Sequence, residues 1–307
     1  NYPENSLLAI QSCIDMGIDV VELDVKLTSD GVVVLSHDES ISRCTGVGKN
    51  IDGLTWEELR EYPLKNGQGS GNPIYALTQE DAALLNGLSN YAEHAGAPAQ
   101  AGDTMPLSRL DDAIELMDHQ TMINLDHCFS QDRFVACYVL FRETDMLDHV
   151  FFKNSVSPET MNNWYAAAAE NWNALYPEDP IDAAEVQRSI LYVYIHRPGT
   201  DGSIPTLQSH LDNGDNLVMA EVCIGNDDLL AAIEDNLEPW CRTNGVSMFV
   251  NTMWSGLCGT LPDTQTTWAK MLERGYTAIQ TDRPGELAVY LQTIAQDRPA
   301  LETIEAE

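Results

Sequence analysis

Positive charge is what this sequence has least of. Lys and Arg together number 16 against 48 Asp and Glu, a formal net charge of −32 at pH 7. The field around such a chain repels polyanions, so nonspecific nucleic-acid binding and docking on anionic membranes are disfavoured. An anionic small molecule is still admissible, because a bound metal ion or a few arginines reverse the sign inside a cleft. No apolar run approaches the ~20 residues that span a bilayer, so no stable membrane insertion is expected. The seven cysteines are odd in number and contain no C-x-x-C pair, which excludes a disulfide framework and a zinc ribbon. Most of them read as small buried hydrophobes. A single disulfide and the redox compartment stay open, as does the oligomeric state. No internal repeat or low-complexity linker divides the chain.

What is present is alternation. Strand-like runs occur at Asp19 to Lys26, Val32 to Ser36, Thr121 to Leu125, His149 to Lys153, Ser189 to Ile195, Asn216 to Ile224, Ser247 to Trp254 and Tyr276 to Thr281. Amphipathic stretches lie between them, at Ser6 to Asp15, Arg109 to Met117, Pro158 to Leu175, Asp227 to Asn236 and Thr266 to Arg274. Strands alternating with helices predict parallel pairing through crossovers. A chain of 307 residues accommodates one α/β barrel of about 250 residues with an insertion. Seven of the runs suit barrel strands. Val32 to Ser36 is either the eighth or a short hairpin partner. The Gly- and Pro-rich stretch from Lys65 to Asp103 is expected to be a long loop or small insertion after the second strand region.

The densest chemical signal lies near the N-terminus. Glu22 and Asp24 are two apart on a strand and therefore share a face. Two carboxylates on a buried face are costly unless a cation lies between them, and a hard divalent ion with oxygen ligands satisfies both. An edge strand with its acids in water is the alternative, but Val20, Val21, Leu23 and Val25 imply burial on both faces. His37 follows the run ending at Ser36, where barrel enzymes place catalytic groups, and His is the natural acid or base near neutral pH.

These residues fall into a known order. Pro3-Glu4-Asn5-Ser6, Glu22-Leu23-Asp24-Val25, Leu27-Thr28-Ser29-Asp30-Gly31, Ser36-His37-Asp38 and Arg43-Cys44-Thr45 resemble, in order and spacing, the glycerophosphodiester phosphodiesterase family. Met105-Pro106-Leu107 and the closing Gly275 to Pro284 resemble that family's later segments. The resemblance implies a TIM (β/α)8 barrel over 1–307, with 65–103 an insertion or long loop within it. It implies metal-dependent hydrolysis of a small-molecule glycerophosphodiester to glycerol 3-phosphate and an alcohol, with one divalent cation, Ca2+ or Mg2+, and two histidines. By motif, Glu22 and Asp24 are metal ligands and His37 is one of the histidines. Glu4 lies beside the substrate and metal.

Two departures stand out. The family's His-Arg-Gly precedes Pro-Glu-Asn-Ser, so the first strand and its histidine are expected upstream of Asn1. His196-Arg197-Pro198 is superficially similar, but lacks the glycine and falls late in the chain. The usual Glu-x-Lys reads here as Asn124-Leu125-Asp126-His127, which makes Asp126 the expected third ligand. Lys153 is the substitute positive charge for the phosphate. Asn251 and Trp254, near the seventh strand's end, are expected at the substrate. A sphingomyelinase D-like phospholipase and a catalytically inactive phosphodiester-binding barrel are the alternative readings. A secreted or periplasmic location is favoured over a cytoplasmic one.

Overall fold

Val20–Leu27 forms strand β1, because its aliphatic residues alternate with groups that can line a second buried face. The structure, a computed structural model, describes residues 2–67, 71–196, 204–224, 227–252 and 262–297. After β1 the chain turns at once into β2 (Val33–Leu35), which pairs antiparallel with it, Val25 beside Leu35. The turn is closed by Thr28, whose hydroxyl donates to Asp30 Oδ1 at 2.6 Å and accepts from the Val32 N–H at 2.9 Å. Gly31, at φ +84°, supplies the left-handed step that a side chain would resist. The open question about Val32 to Ser36 is thereby answered: it is a short hairpin partner.

The chain divides into two compact units. The first comprises Asn1–Asp15, Asp19–Ile195 and Pro205–Val218. In it β1 pairs in parallel with β3 (Met122–Asp126), β3 with β4 (Val150–Asn154), and β4 with β5 (Leu191–His196). The face of these strands opposite the acids is aliphatic and aromatic. Val21, Leu23, Val25, Ile123, Leu125, Val150 and Phe152 are all buried. Phe134, on the helix Gln131–Glu143, packs its ring at a tilt 5.3 Å from Phe152 and 5.5 Å from Trp164 of the helix Pro158–Leu175. Fully burying one such ring contributes roughly 1.5–3 kcal/mol, so this cluster holds the helices onto the sheet. Residues 65–103 contain two short helices, Gln79–Asn86 and Ser89–Ala95, the first started by a capping box between Thr78 and Asp81.

The second unit comprises Met16–Ile18, His196–Ile204 and Met219–Glu307. There β6 (Leu217–Cys223), β7 (Ser247–Asn251) and β8 (Ala278–Gln280) run parallel, with Met219 beside Ser247 and Asn251 beside Gln280. Phe249, Val250, Trp268, Met271 and Tyr276 are buried in it. No helix among the described residues is long and apolar enough to cross a membrane.

Candidate active site

The site is built by strand register. Glu22, Asp24 and Lys26 take alternate positions on β1 and share the face opposite Val21, Leu23 and Val25. Parallel pairing sets Glu22 beside Asn124 and Asp24 beside Asp126. Carboxylate oxygens of Glu22, Asp24 and Asp126 consequently lie within 4.8 Å of one another. Asp126 ends β3 and Lys153 is the next-to-last residue of β4, so the cluster occupies the carboxyl ends of the strands, the catalytic end of α/β barrels.

Lys153, only 1% exposed, reaches into the cluster. Its Nζ lies 2.6 Å from Asp126 Oδ2 and 3.2 Å from Glu22 Oε1. This one ammonium is shared by two carboxylates and does not balance them. Burial, with Asp24 and Asp126 acting in the same direction and Lys153 against it, pushes Glu22 up to about 8. Burial also works to raise Asp126, but Lys153 and the His127 backbone N–H hold it below the ordinary carboxylate range. Asn124 adds a buried amide oxygen without a hydrogen-bond partner. Crowded hard oxygens with residual negative charge are what a divalent cation of the Ca2+ or Mg2+ type requires. Glu22, Asp24 and Asp126 would hold it, with Asn124 beside them. Asn5 fixes Asp24 by donating from Nδ2 to Oδ2 at 2.9 Å and accepting the Asp24 N–H at 3.1 Å.

His37 follows β2 and is oriented by a chain of charged groups. Its Nδ1 lies 2.7 Å from Asp38 Oδ1, while Asp38 Oδ2 accepts from Arg43 Nε at 2.7 Å. The other edge of Arg43 forks onto Glu4, with Nη2 at 2.6 Å from Oε1 and Nη1 on Oε2. Bidentate pairing of this kind fixes geometry as well as charge. Burial alone would raise Asp38, but hydrogen bonds from Arg43 and His37 keep it below its ordinary value. Glu4, expected beside the substrate and metal, is therefore placed as the anchor of Arg43.

Two residues of this site escaped the sequence reading. His127 sits just past β3 with φ +58°. Its Nδ1 lies 2.8 Å from Lys26 Nζ and its Nε2 3.5 Å from Asp24 Oδ1, and its ring centroid is 4.7 Å from that of His37. Burial, reinforced by Arg133, lowers Lys26 to about 8. Burial likewise lowers His127, with Lys26 acting in the same direction and Asp24 opposing. The signal was available: period two along β1 places Lys26 with the acids, and His127 follows a strand end. Asn251 belongs to the second unit, where its amide donates to Gln280 Oε1 at 3.1 Å. Glu221, on β6 in that unit, is buried. Trp254 and the Arg197-Pro198 pair lie outside the described residues.

Parallel strands joined by helices, with acids at strand carboxyl ends, are the pattern of an α/β barrel. Solved structures share the fold. A glycerophosphoryl diester phosphodiesterase from Parabacteroides distasonis matches with a TM-score of 0.63 at 18% identity, covering 99% of this chain and 85% of that one. A phosphodiesterase from Oleispira antarctica, in complex with the product sn-glycerol-3-phosphate, matches at 0.54 with 17% identity, covering 95% and 92%. In sequence, residues 1–132 match the model of the Glycerophosphoryl diester phosphodiesterase family. A glycerophosphodiester phosphodiesterase from Bacillus altitudinis is 42% identical over 93 residues, which is 30% of this chain and only 38% of that relative's length. Through this N-terminal region the chain is similar to the glycerophosphoryl diester phosphodiesterase family.

Proposed function

We propose that this chain, as a single barrel domain, hydrolyses glycerophosphodiesters to glycerol 3-phosphate and an alcohol. The observation that carries the reading is the convergence of Glu22, Asp24 and Asp126 at the strand ends, with Lys153 inside the group. The Bacillus altitudinis relative's name and the glycerol phosphate in the Oleispira antarctica structure support the substrate class.

A divalent cation, Ca2+ or Mg2+, on the three carboxylates would offset charge on a phosphate oxygen as it develops. His37 moves a proton at the reacting oxygen through the ring nitrogen that Asp38 does not hold. Arg43 and Glu4 keep Asp38, and through it His37, in that orientation. Lys153 brings positive charge to the phosphate side. Asn251 and Trp254 are the substrate residues that the family resemblance implies. The family resemblance implies a second histidine for the acid–base pair.

Glycerophosphocholine incubated with the full chain tests the reading. Release of glycerol 3-phosphate is expected to stop with EDTA, to return with Ca2+ or Mg2+, and to be lost in Asp24→Asn. Hydrolysis that survives complete chelation would overturn the metal role. A protein inert towards every glycerophosphodiester in either ion is instead a binding barrel. A cyclic phosphate formed from a lysolipid identifies the sphingomyelinase D-like chemistry.

A further inference from the structure

The strands that carry Asp126 and Lys153 at their carboxyl ends carry a second polar cluster at their amino ends. His119 lies three residues before β3, and His149 immediately precedes β4. Parallel pairing sets Ile123 beside Val150, so the residues leading into the two strands are neighbours. His119 is thrown into place by two consecutive positive-φ residues that end the helix Leu110–Met117: Asp118 at +26° and His119 at +59°. His119 and Asp148 are exposed, and His149 is partly so.

The contacts do not close as hydrogen bonds. His119 Nδ1 lies 3.1 Å from His149 Nδ1, with ring centroids 4.4 Å apart. The same His149 Nδ1 lies 2.7 Å from Asp148 Oδ1. A ring nitrogen has one in-plane position, occupied by a proton or by a lone pair. If His149 donates its Nδ1 proton to Asp148, it offers nothing to His119. If it accepts a proton from His119, its lone pair faces the carboxylate oxygen. One proton cannot satisfy all three atoms, whereas a cation that accepts an electron pair from each can.

We propose that His119, His149 and Asp148 form a second metal site, which takes a divalent transition-metal ion through two imidazole nitrogens and one carboxylate oxygen. Metal–ligand bonds of about 2.1 Å would make the 3.1 Å and 2.7 Å separations subtend roughly 95° and 80°. Those are neighbouring positions of a tetragonal or octahedral sphere. They fit Ni2+ or Cu2+ better than tetrahedral zinc, and imidazole with carboxylate is a donor set these ions accept. The exposed side leaves the remaining positions to water. The donor chemistry also separates this site from the carboxylate cluster, whose all-oxygen set favours hard ions.

Calorimetric titration of the full chain with Ni2+, in excess Ca2+ to fill the hard site, tests this. The wild type is expected to bind one more equivalent of Ni2+ than either His119→Ala or His149→Ala. His37→Ala is expected to keep that equivalent, which excludes binding at His37 and His127 as its source. Paramagnetic Ni2+ should broaden the imidazole NMR signals of both His119 and His149 together. Hydrolytic activity should be unchanged in both alanine variants. Equal Ni2+ stoichiometry in the wild type and the two variants, or loss of the equivalent in His37→Ala, would overturn the site.

Discussion

Asp215, buried, and the Glu22–Asp24–Asp126 group, partly shielded from water, both lie in the first unit, yet they are provisioned in opposite ways. Asp215, 4% exposed, accepts from Tyr165 at 3.0 Å and from Gln187 and Asn213 at 2.9 Å, and its other oxygen lies 2.6 Å from His210 Nδ1. One carboxylate thus meets four partners, and His210 continues to the Val156 carbonyl at 3.0 Å. At the strand ends Glu22 and Asp126 share one lysine, and Asp24 beside them has Asn5 and, at 3.5 Å, His127. A buried acid with donors on both oxygens ties elements together. A crowd of acids short of donors costs stability and is kept for what it can bind. The contrast separates a structural acid from a chemical one without reference to the motifs.

The largest expected effect breaks the comparison at its chemical end. Asp24→Asn should lower kcat/KM on a glycerophosphodiester by ~10^3 or more, a loss of about 4 kcal/mol in transition-state stabilisation. The same variant should unfold at no lower urea concentration than the wild type, because it removes repulsion among the acids. The next effect breaks the other end. Asp215→Ala leaves His210, Tyr165, Gln187 and Asn213 without their shared acceptor. It should cost about 3 kcal/mol of stability in urea melts and leave KM unchanged. If Asp24→Asn instead unfolds the protein while Asp215→Ala abolishes turnover, the distinction is wrong.

A smaller effect probes orientation. Arg43→Lys keeps a positive charge but loses the fork that joins Glu4 to Asp38. A drop of about tenfold in kcat with KM nearly unchanged is expected, as for partners that orient reacting groups. A rise in KM alone would mean that Arg43 contacts substrate rather than positioning His37.

The local half of this site was legible in the sequence and the long-range half was not. Period two on β1 was enough to place Glu22 and Asp24 on one face; Leu125 ended a strand by pattern, and Asp126 came from the family resemblance. The Lys26–His127 contact joins residues 101 positions apart and exists only through the β1–β3 register. The grip of Glu4 on Arg43 spans 39 residues and needs the turn after β2. The helix Gln131–Glu143 was also missed. Phe134, Val135, Cys137, Tyr138, Val139, Leu140 and Phe141 form an apolar run whose period does not separate a buried helix from a strand. Only Ser130, whose hydroxyl accepts the Arg133 N–H, marks its start. Val32 to Ser36 was undecidable for a related reason, since three paired residues read alike in a parallel or an antiparallel partner.

The smallest effect sharpens the comparison through pH. Glu22 is raised from an ordinary 4.5 to about 8, first by burial. Between those values the chelated native state holds a proton that the unfolded chain has released, so stability falls as pH rises through that window. Asp215 is shifted the other way, held below its ordinary 3.8 by His210, Gln187 and Asn213 although burial opposes them. Its contribution is present above that value and is lost only as pH falls below it, so stability there rises with pH. Urea melts from pH 3 to pH 8 in EDTA should therefore show two slopes of opposite sign. The upper one should lie well under the ~1.4 kcal/mol per pH unit of a full proton, because Glu22 is partly open to solvent. Glu22→Gln should flatten the upper slope and leave the lower one. Ca2+ should flatten it too, by favouring the ionised carboxylates in the folded state. An upper slope that persists in Glu22→Gln would move the retained proton to another group in the cluster.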